Sequence, residues 1–253
     1  MNRQAQAAVL FLVGAAILKA GSSDLYLRYV KAGLRPLLLG AGVVLIATAA
    51  ATVWYELRHG RARDKGEGDE GAGEGVADEG HGHAHREPRI AWLLVLPLLA
   101  LILVAPPALG SYSAMRTGTA LQPPFGYAEL PADDPLTLSL VDYAGRAAYG
   151  HGHTLGDRRI KVTGFVALGH DGTPYLVRMA LNCCAADAQP VKIGLTGRIP
   201  PVLRPDSWLE VTGTYTDKRT KDPVNDGVIP FIEVGEARPV ATPRDPYDES
   251  WNN

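Results

Sequence analysis

An uncharged apolar run in the first quarter of the chain constrains the fold more than any other feature. Leu37 to Tyr55 is nineteen residues without a charged side chain. A helix of about 20 apolar residues spans the roughly 30 Å hydrocarbon core of a bilayer. Trp54 and Tyr55 close the run, and aromatic side chains are typical of the membrane interface. The sequence therefore predicts a transmembrane helix here.

Two further apolar runs, Ala5 to Ala20 and Ile90 to Leu109, flank this one. The first is short for a span, and a signal peptide is the competing interpretation. That interpretation fits poorly, because the preceding region is barely basic and no clear small-residue cleavage site is followed by a soluble domain. We predict two transmembrane helices within residues 1–58 and a third at residues 90–110.

The segment between the second and third predicted helices, residues 59–89, has a different composition. It is rich in Gly, Glu, Asp, Arg and His and shows no apolar periodicity, so we predict a disordered loop. Three alternating imidazoles near its end, on His81, His83 and His85, could chelate a divalent transition metal weakly. The alternative is a solvated polar loop that binds no metal.

The distribution of basic residues predicts the membrane topology. Six lie near the ends of the loop between the second and third helices: Arg58, Arg61, Arg63, Lys65, Arg86 and Arg89. Four lie between the first and second: Lys19, Arg28, Lys31 and Arg35. The positive-inside rule then predicts a multi-pass protein of the cell membrane with an extracytoplasmic C-terminal domain.

For the second half of the chain, the sequence predicts a linker at residues 111–124 and a β-rich soluble domain at residues 125–253. Apolar spacing predicts a short helix from Asp134 to Tyr149, with Pro135 in its first turn. Five strand-like runs follow: Arg159–Leu168, Pro174–Leu181, Val191–Gly197, Trp208–Thr216 and Val228–Val234. Five short strands predict a small OB-like barrel, with a β-sandwich fragment as the alternative.

Composition excludes some functions. A formal net charge of −2 gives no broad basic face for nucleic acid. The chain also lacks a Gly-x-Ser-x-Gly motif, a P-loop and a dinucleotide fingerprint, so we expect a non-catalytic protein.

The candidate chemistry lies in two adjacent cysteines, Cys183 and Cys184, which follow a predicted strand and precede Asp187. Thiolates, imidazoles and carboxylates are the usual zinc ligands, and three or four are needed. Adjacent residues of an extended strand point to opposite sides, so both sulfurs can bind one ion only if the backbone turns here. A partner protein could complete the ligand set, as could three histidines of the soluble domain: His151, His153 and His170.

Two other interpretations of the cysteines remain open. They could be redox-active, because a disulfide between neighbours is strained and Arg178 nearby could lower a thiol pKa. Alternatively, small cysteines could fill a tight core while Asp187 caps a turn.

The run Arg178–Pro190, with Val162–Val166 before it and Trp208–Gly213 after it, resembles the YcgQ-like family of bacterial membrane proteins. These are described as permease subunits with an uncharacterised C-terminal domain. The family pattern has an arginine on this strand, matched by Arg178, followed by the cysteine pair and Asp187. The resemblance also implies that the protein pairs with a separate multi-spanning permease.

We therefore predict a non-catalytic, membrane-anchored accessory subunit of a permease complex that binds or hands over a divalent metal such as zinc. Metal ligands would come from the cysteines and Asp187, and Arg178 would contact the substrate. An extracytoplasmic thiol-redox protein and a purely structural interaction subunit are the alternatives.

Overall fold

The computed structural model describes residues 3–64 and 108–249. The predicted third transmembrane helix lies outside this range except for residues 108–110. The His81, His83 and His85 tract lies wholly outside it. The described residues form two compact units, one from residues 3–23 and 35–64 and the other from residues 24–34 and 108–249.

The first unit consists of two apolar helices, α1 (Arg3–Ser22) and α2 (Arg35–Asp64). Both are long and apolar enough to cross a membrane, by length and composition. They pack closely because glycines face each other: a Cβ on Gly14 would lie 3.0 Å from the Gly42 carbonyl oxygen. Apolar side chains elsewhere on α2, such as Trp54, are exposed. These features fit membrane anchoring and confirm the predicted N-terminal apolar helices.

The second unit is built around a closed barrel of five strands: β2 (Ile160–Leu168), β3 (Pro174–Leu181), β4 (Gln189–Gly197), β5 (Trp208–Lys221) and β6 (Val228–Val240). Their order around the barrel is β2–β5–β6–β4–β3 and back to β2. The β4–β6 pair is parallel, and the other four pairs are antiparallel. The predicted small barrel is confirmed.

Two short strands extend the sheet beyond the barrel. β1 (Leu136–Thr137) pairs in parallel with β2, and β7 (Tyr247–Glu249) pairs in parallel with β3. Segments of two or three residues carry no detectable alternation, so the sequence did not predict them.

Two further helices lie before the barrel. Helix α3 (Ser111–Arg116) occupies the segment predicted as a linker, and its Ala114 is fully buried. Helix α4 (Leu140–Ala148) is the predicted short helix, but it begins later than Asp134 because Ser139 is its N-cap. The Ser139 hydroxyl accepts a hydrogen bond from the Asp142 N–H at 3.0 Å.

Glycines inside two strands mark places where backbones approach closely. A Cβ on Gly164 would lie 2.8 Å from the Val177 carbonyl oxygen, and one on Gly213 would clash with the Glu233 carbonyl oxygen. The β5–β6 register shifts at Gly213, which indicates a bulge. Both glycines therefore serve the barrel architecture.

A buried ion pair fastens the segment after α3 to the barrel. Lys192 Nζ lies 2.7 Å from Asp222 Oδ2, and the two side chains are 1% and 0% exposed. Lys192 Nζ also donates to the Thr117 carbonyl at 2.9 Å, and Asp222 Oδ2 accepts from the Thr119 N–H at 2.9 Å. The pair therefore links β4, the β5–β6 turn and residues 117–119.

Candidate functional site

The cysteines lie in the loop that joins β3 to β4, residues 182–188, hereafter the cysteine loop. β3 ends at Leu181, and a 3₁₀ turn follows at Ala185–Asp187. In this turn the Asp187 N–H donates to the Cys184 carbonyl at 3.0 Å. The backbone therefore turns immediately after the cysteines, as a shared site requires.

The Asp187 side chain closes the loop on itself. Its Oδ1 accepts from the Asn182 N–H at 3.1 Å, and its Oδ2 accepts from the Cys183 N–H at 2.9 Å. Burial works to raise the pKa of Asp187, but hydrogen bonds from the Cys183 thiol and from the backbone outweigh burial. The pKa of this carboxyl therefore lies below its ordinary value, and Asp187 is ionised at neutral pH.

The two sulfurs and one Asp187 oxygen form a compact group. All three atoms lie within 4.8 Å of one another. Cys183 is exposed and Cys184 is half-buried, and both are free thiols. The cysteines therefore do not fill the core, as one of the three interpretations proposed.

The carboxylate controls the protonation of the neighbouring thiol. A hydrogen bond to Asp187 and one to Cys184 raise the pKa of Cys183 to about 11. Redox-active cysteines have lowered pKa values, because the thiolate is the nucleophile. Cys183 has the opposite shift, so its surroundings do not activate this thiol as a nucleophile, and the redox interpretation stays a prediction.

The segment between α1 and α2, Asp24–Leu34, contacts the cysteine loop directly; we call it the helix connection. Val30 and Cys184 form an antiparallel β-bridge. The Ala185 N–H donates to the Tyr29 carbonyl at 2.7 Å, and the Lys31 N–H donates to the Cys183 carbonyl at 3.1 Å. The backbone of Cys184 is thus hydrogen-bonded to the connection on both sides, through the Cys183 carbonyl and the Ala185 N–H.

Arg178 binds the C-terminal strand. Its Nε donates to Asp248 Oδ1 at 3.0 Å, and its Nη2 donates to the Tyr247 carbonyl at 3.0 Å. Its guanidinium also lies 5.1 Å from the centroid of the Trp208 ring. Arg178 is not among the groups that shift the pKa of Cys183. These contacts are structural, and its role in substrate binding stays a prediction.

The histidines of the barrel domain lie elsewhere. His151, His153 and His170 are exposed. His151 Nδ1 lies 3.3 Å from a guanidinium nitrogen of Arg219. Within residues 3–64 and 108–249, the compact group of metal-ligating side chains contains the two cysteines and Asp187 but no histidine.

Sequence reasoning missed two elements around the site. It did not predict that the helix connection pairs with Cys184, nor that Asp248 pairs with Arg178. The first contact is between backbone atoms, which leave no side-chain signature. The second joins residues 70 positions apart, and a single sequence carries no signal for it.

Fold and site together define a protein with N-terminal apolar helices and a five-stranded barrel that presents a Cys-Cys-x-x-Asp loop. A DUF1980 C-terminal domain is found at residues 146–248, which include the whole barrel and the cysteine loop. An uncharacterised C-terminal domain is what the resemblance implies, whereas the YcgQ-like family and its permease role stay predictions. Neither the curated proteins nor the solved structures compared with the chain include a match.

Proposed function

We propose that this protein is a membrane-anchored accessory subunit of a transport complex, and that its cysteine loop binds and hands over a divalent metal such as zinc. One observation carries the proposal: two thiol sulfurs and a carboxylate oxygen lie within 4.8 Å of one another on an accessible loop. Sulfur and carboxylate oxygen are common zinc ligands. The partner would be a multi-spanning permease in the same membrane.

The number of ligands in the loop favours transfer over permanent storage. Structural zinc sites are closed by four protein ligands, whereas a site with three keeps one tetrahedral position for water or another donor. A zinc ion held by Cys183, Cys184 and Asp187 could therefore accept a fourth ligand from the permease. That fourth ligand would begin the exchange.

The contacts of the helix connection support the proposed topology. With three spans, the connection between the first two and the domain after the third lie on the same side of the membrane. The bridge between Val30 and Cys184 joins the connection to the cysteine loop, and such a contact is compatible with both segments lying on one side of the membrane. By the positive-inside rule, that side is extracytoplasmic.

Zinc titration of the full chain tests the proposal. Both proteins should carry His81→Ala, His83→Ala and His85→Ala, so that the histidine tract contributes no binding. We expect one zinc ion per wild-type loop and at least about tenfold weaker binding by Cys183→Ser/Cys184→Ser, because losing even an outer-sphere partner costs about 10–100-fold.

The matched control is Ala186→Ser, which adds a hydroxyl to the same loop and leaves the ligands unchanged. Affinity should also rise with pH from about 6.5 to 8.5, since Cys183, with a pKa of about 11, must lose a proton to bind. That proton alone gives about tenfold per pH unit throughout this range. Equal zinc binding by the double serine variant and the wild type would refute the proposal.

A further inference from the structure

The cysteine loop lies beyond the hydrogen-bonded part of its own hairpin. The last β3–β4 pair is Ala180 with Gln189, so the ladder between these strands ends before either cysteine. Adjacent side chains on an extended strand point to opposite sides. Cys184 is extended, with φ −153° and ψ 169°. The hydrogen bonds of Asp187 hold this loop from within, and contacts with a second segment hold it from outside.

The helix connection supplies two of these contacts. The Cys183 carbonyl accepts from the Lys31 N–H, and the Ala185 N–H donates to the Tyr29 carbonyl, so both peptide groups that flank Cys184 are engaged. In such a pair, the opposed residues have Cα atoms about 4.5 Å apart. Val30 is therefore the immediate neighbour of one proposed ligand.

The connection has a second anchor on the barrel domain. The Tyr247 hydroxyl, on β7, donates to the Arg28 carbonyl at 3.2 Å. Tyr26 and Leu27 of the connection are also buried. The connection follows α1, which ends at Ser22, and leads into α2, which begins at Arg35. A change in its pairing with the loop would therefore act directly on the residues that lead into both helices.

We infer that the helix connection is a strap that holds the cysteine loop in its metal-binding shape, so that metal binding at the loop and docking of the strap stabilise each other. This inference rests on the proposed function and names the regulation of that same site. Coupling of this kind is reciprocal. Zinc on the loop tightens the strap between α1 and α2, and undocking of the strap releases zinc.

Removal of one strap hydrogen bond tests the coupling. Lys31→Pro deletes the N–H that donates to Cys183, because proline has no backbone N–H. In the full chain that carries the three histidine-to-alanine substitutions, we expect this variant to bind zinc about tenfold more weakly than the wild-type loop does. That factor lies within the 5–150-fold range of typical coupling.

Two control variants separate this bond from other effects. Ala32→Pro places proline at the first residue of the 3₁₀ turn Ala32–Leu34, a position that tolerates it, and keeps the Lys31 N–H. Lys31→Ala removes the charge and keeps the N–H. Both controls should bind zinc within about twofold of the wild type, whereas tenfold losses in both would overturn the inference.

Hydrogen exchange of the wild-type chain provides a test that needs no variant. By reciprocity, zinc should slow exchange of the Lys31 and Ala185 amides about tenfold. Wild-type affinity in Lys31→Pro, together with unchanged exchange at these amides, would overturn the strap and leave the metal site standing. If the wild type itself binds no zinc, the proposed function fails.

Discussion

Replacing Lys192 with methionine is expected to lower the free energy of unfolding of the barrel by about 3–5 kcal/mol. The substitution leaves the Asp222 carboxylate, which is 0% exposed, without its ammonium partner. It also removes the hydrogen bond from Lys192 Nζ to the Thr117 carbonyl. An uncompensated buried charge is among the most destabilising defects that a single substitution makes.

Urea unfolding of the full chain in detergent measures this loss of stability. The readout is the sensitivity of the barrel to protease at each urea concentration. The double variant Lys192→Met/Asp222→Asn should recover part of the stability, because the asparagine amide carries no charge and its oxygen can still accept from the Thr119 N–H. The control is Lys221→Met, which changes an exposed lysine next to Asp222. Its free energy of unfolding should stay within about 0.5 kcal/mol of the wild type. A loss below about 1 kcal/mol in Lys192→Met would contradict this view of the pair.

The second large effect is expected for Arg178→Met, which should cost about 2–4 kcal/mol. Arg178 and Asp248 are 11% and 9% exposed and pair at 3.0 Å. Asp248 Oδ2 also accepts from the Leu140 N–H at 3.1 Å, so the pair joins β3, β7 and the start of α4. Both ion pairs leave a carboxylate that still accepts backbone hydrogen bonds, but the Arg178–Asp248 pair is less buried than the Lys192–Asp222 pair, so the expected loss is smaller.

The same urea experiment measures the effect of Arg178→Met. Arg198→Met is the matched control, because Arg198 is exposed and should contribute within about 0.5 kcal/mol. Wild-type stability in Arg178→Met would show that the ion pair does not hold β7.

The main strands could be predicted because their burial follows from side-chain pattern. β3 matches its predicted bounds, Pro174–Leu181, since a mainly buried apolar run is bounded by turn residues at both ends. β5 extends to Lys221, beyond the predicted end at Thr216. Its last residues include Asp217 and Lys218, which are polar and exposed, so backbone pairing continues there without the apolar signal that the prediction requires.

The composition of the candidate site could be predicted, but its surroundings could not. Cys183, Cys184 and Asp187 are close in sequence, and a turn was enough to bring them together. The strap joins Val30 to Cys184 through backbone hydrogen bonds, across more than half the chain. Backbone groups are the same at every position, so no local pattern could identify this partner.

X-ray absorption at the zinc edge of the zinc-loaded full chain, without the histidine tract, tests the central claim most directly. The proposed site predicts two sulfur scatterers at about 2.3 Å, with oxygen ligands at about 2.0–2.2 Å. In Cys183→Ser/Cys184→Ser the sulfur shell should disappear. A wild-type spectrum with only oxygen or nitrogen scatterers would contradict the assignment of the cysteine loop as a metal site.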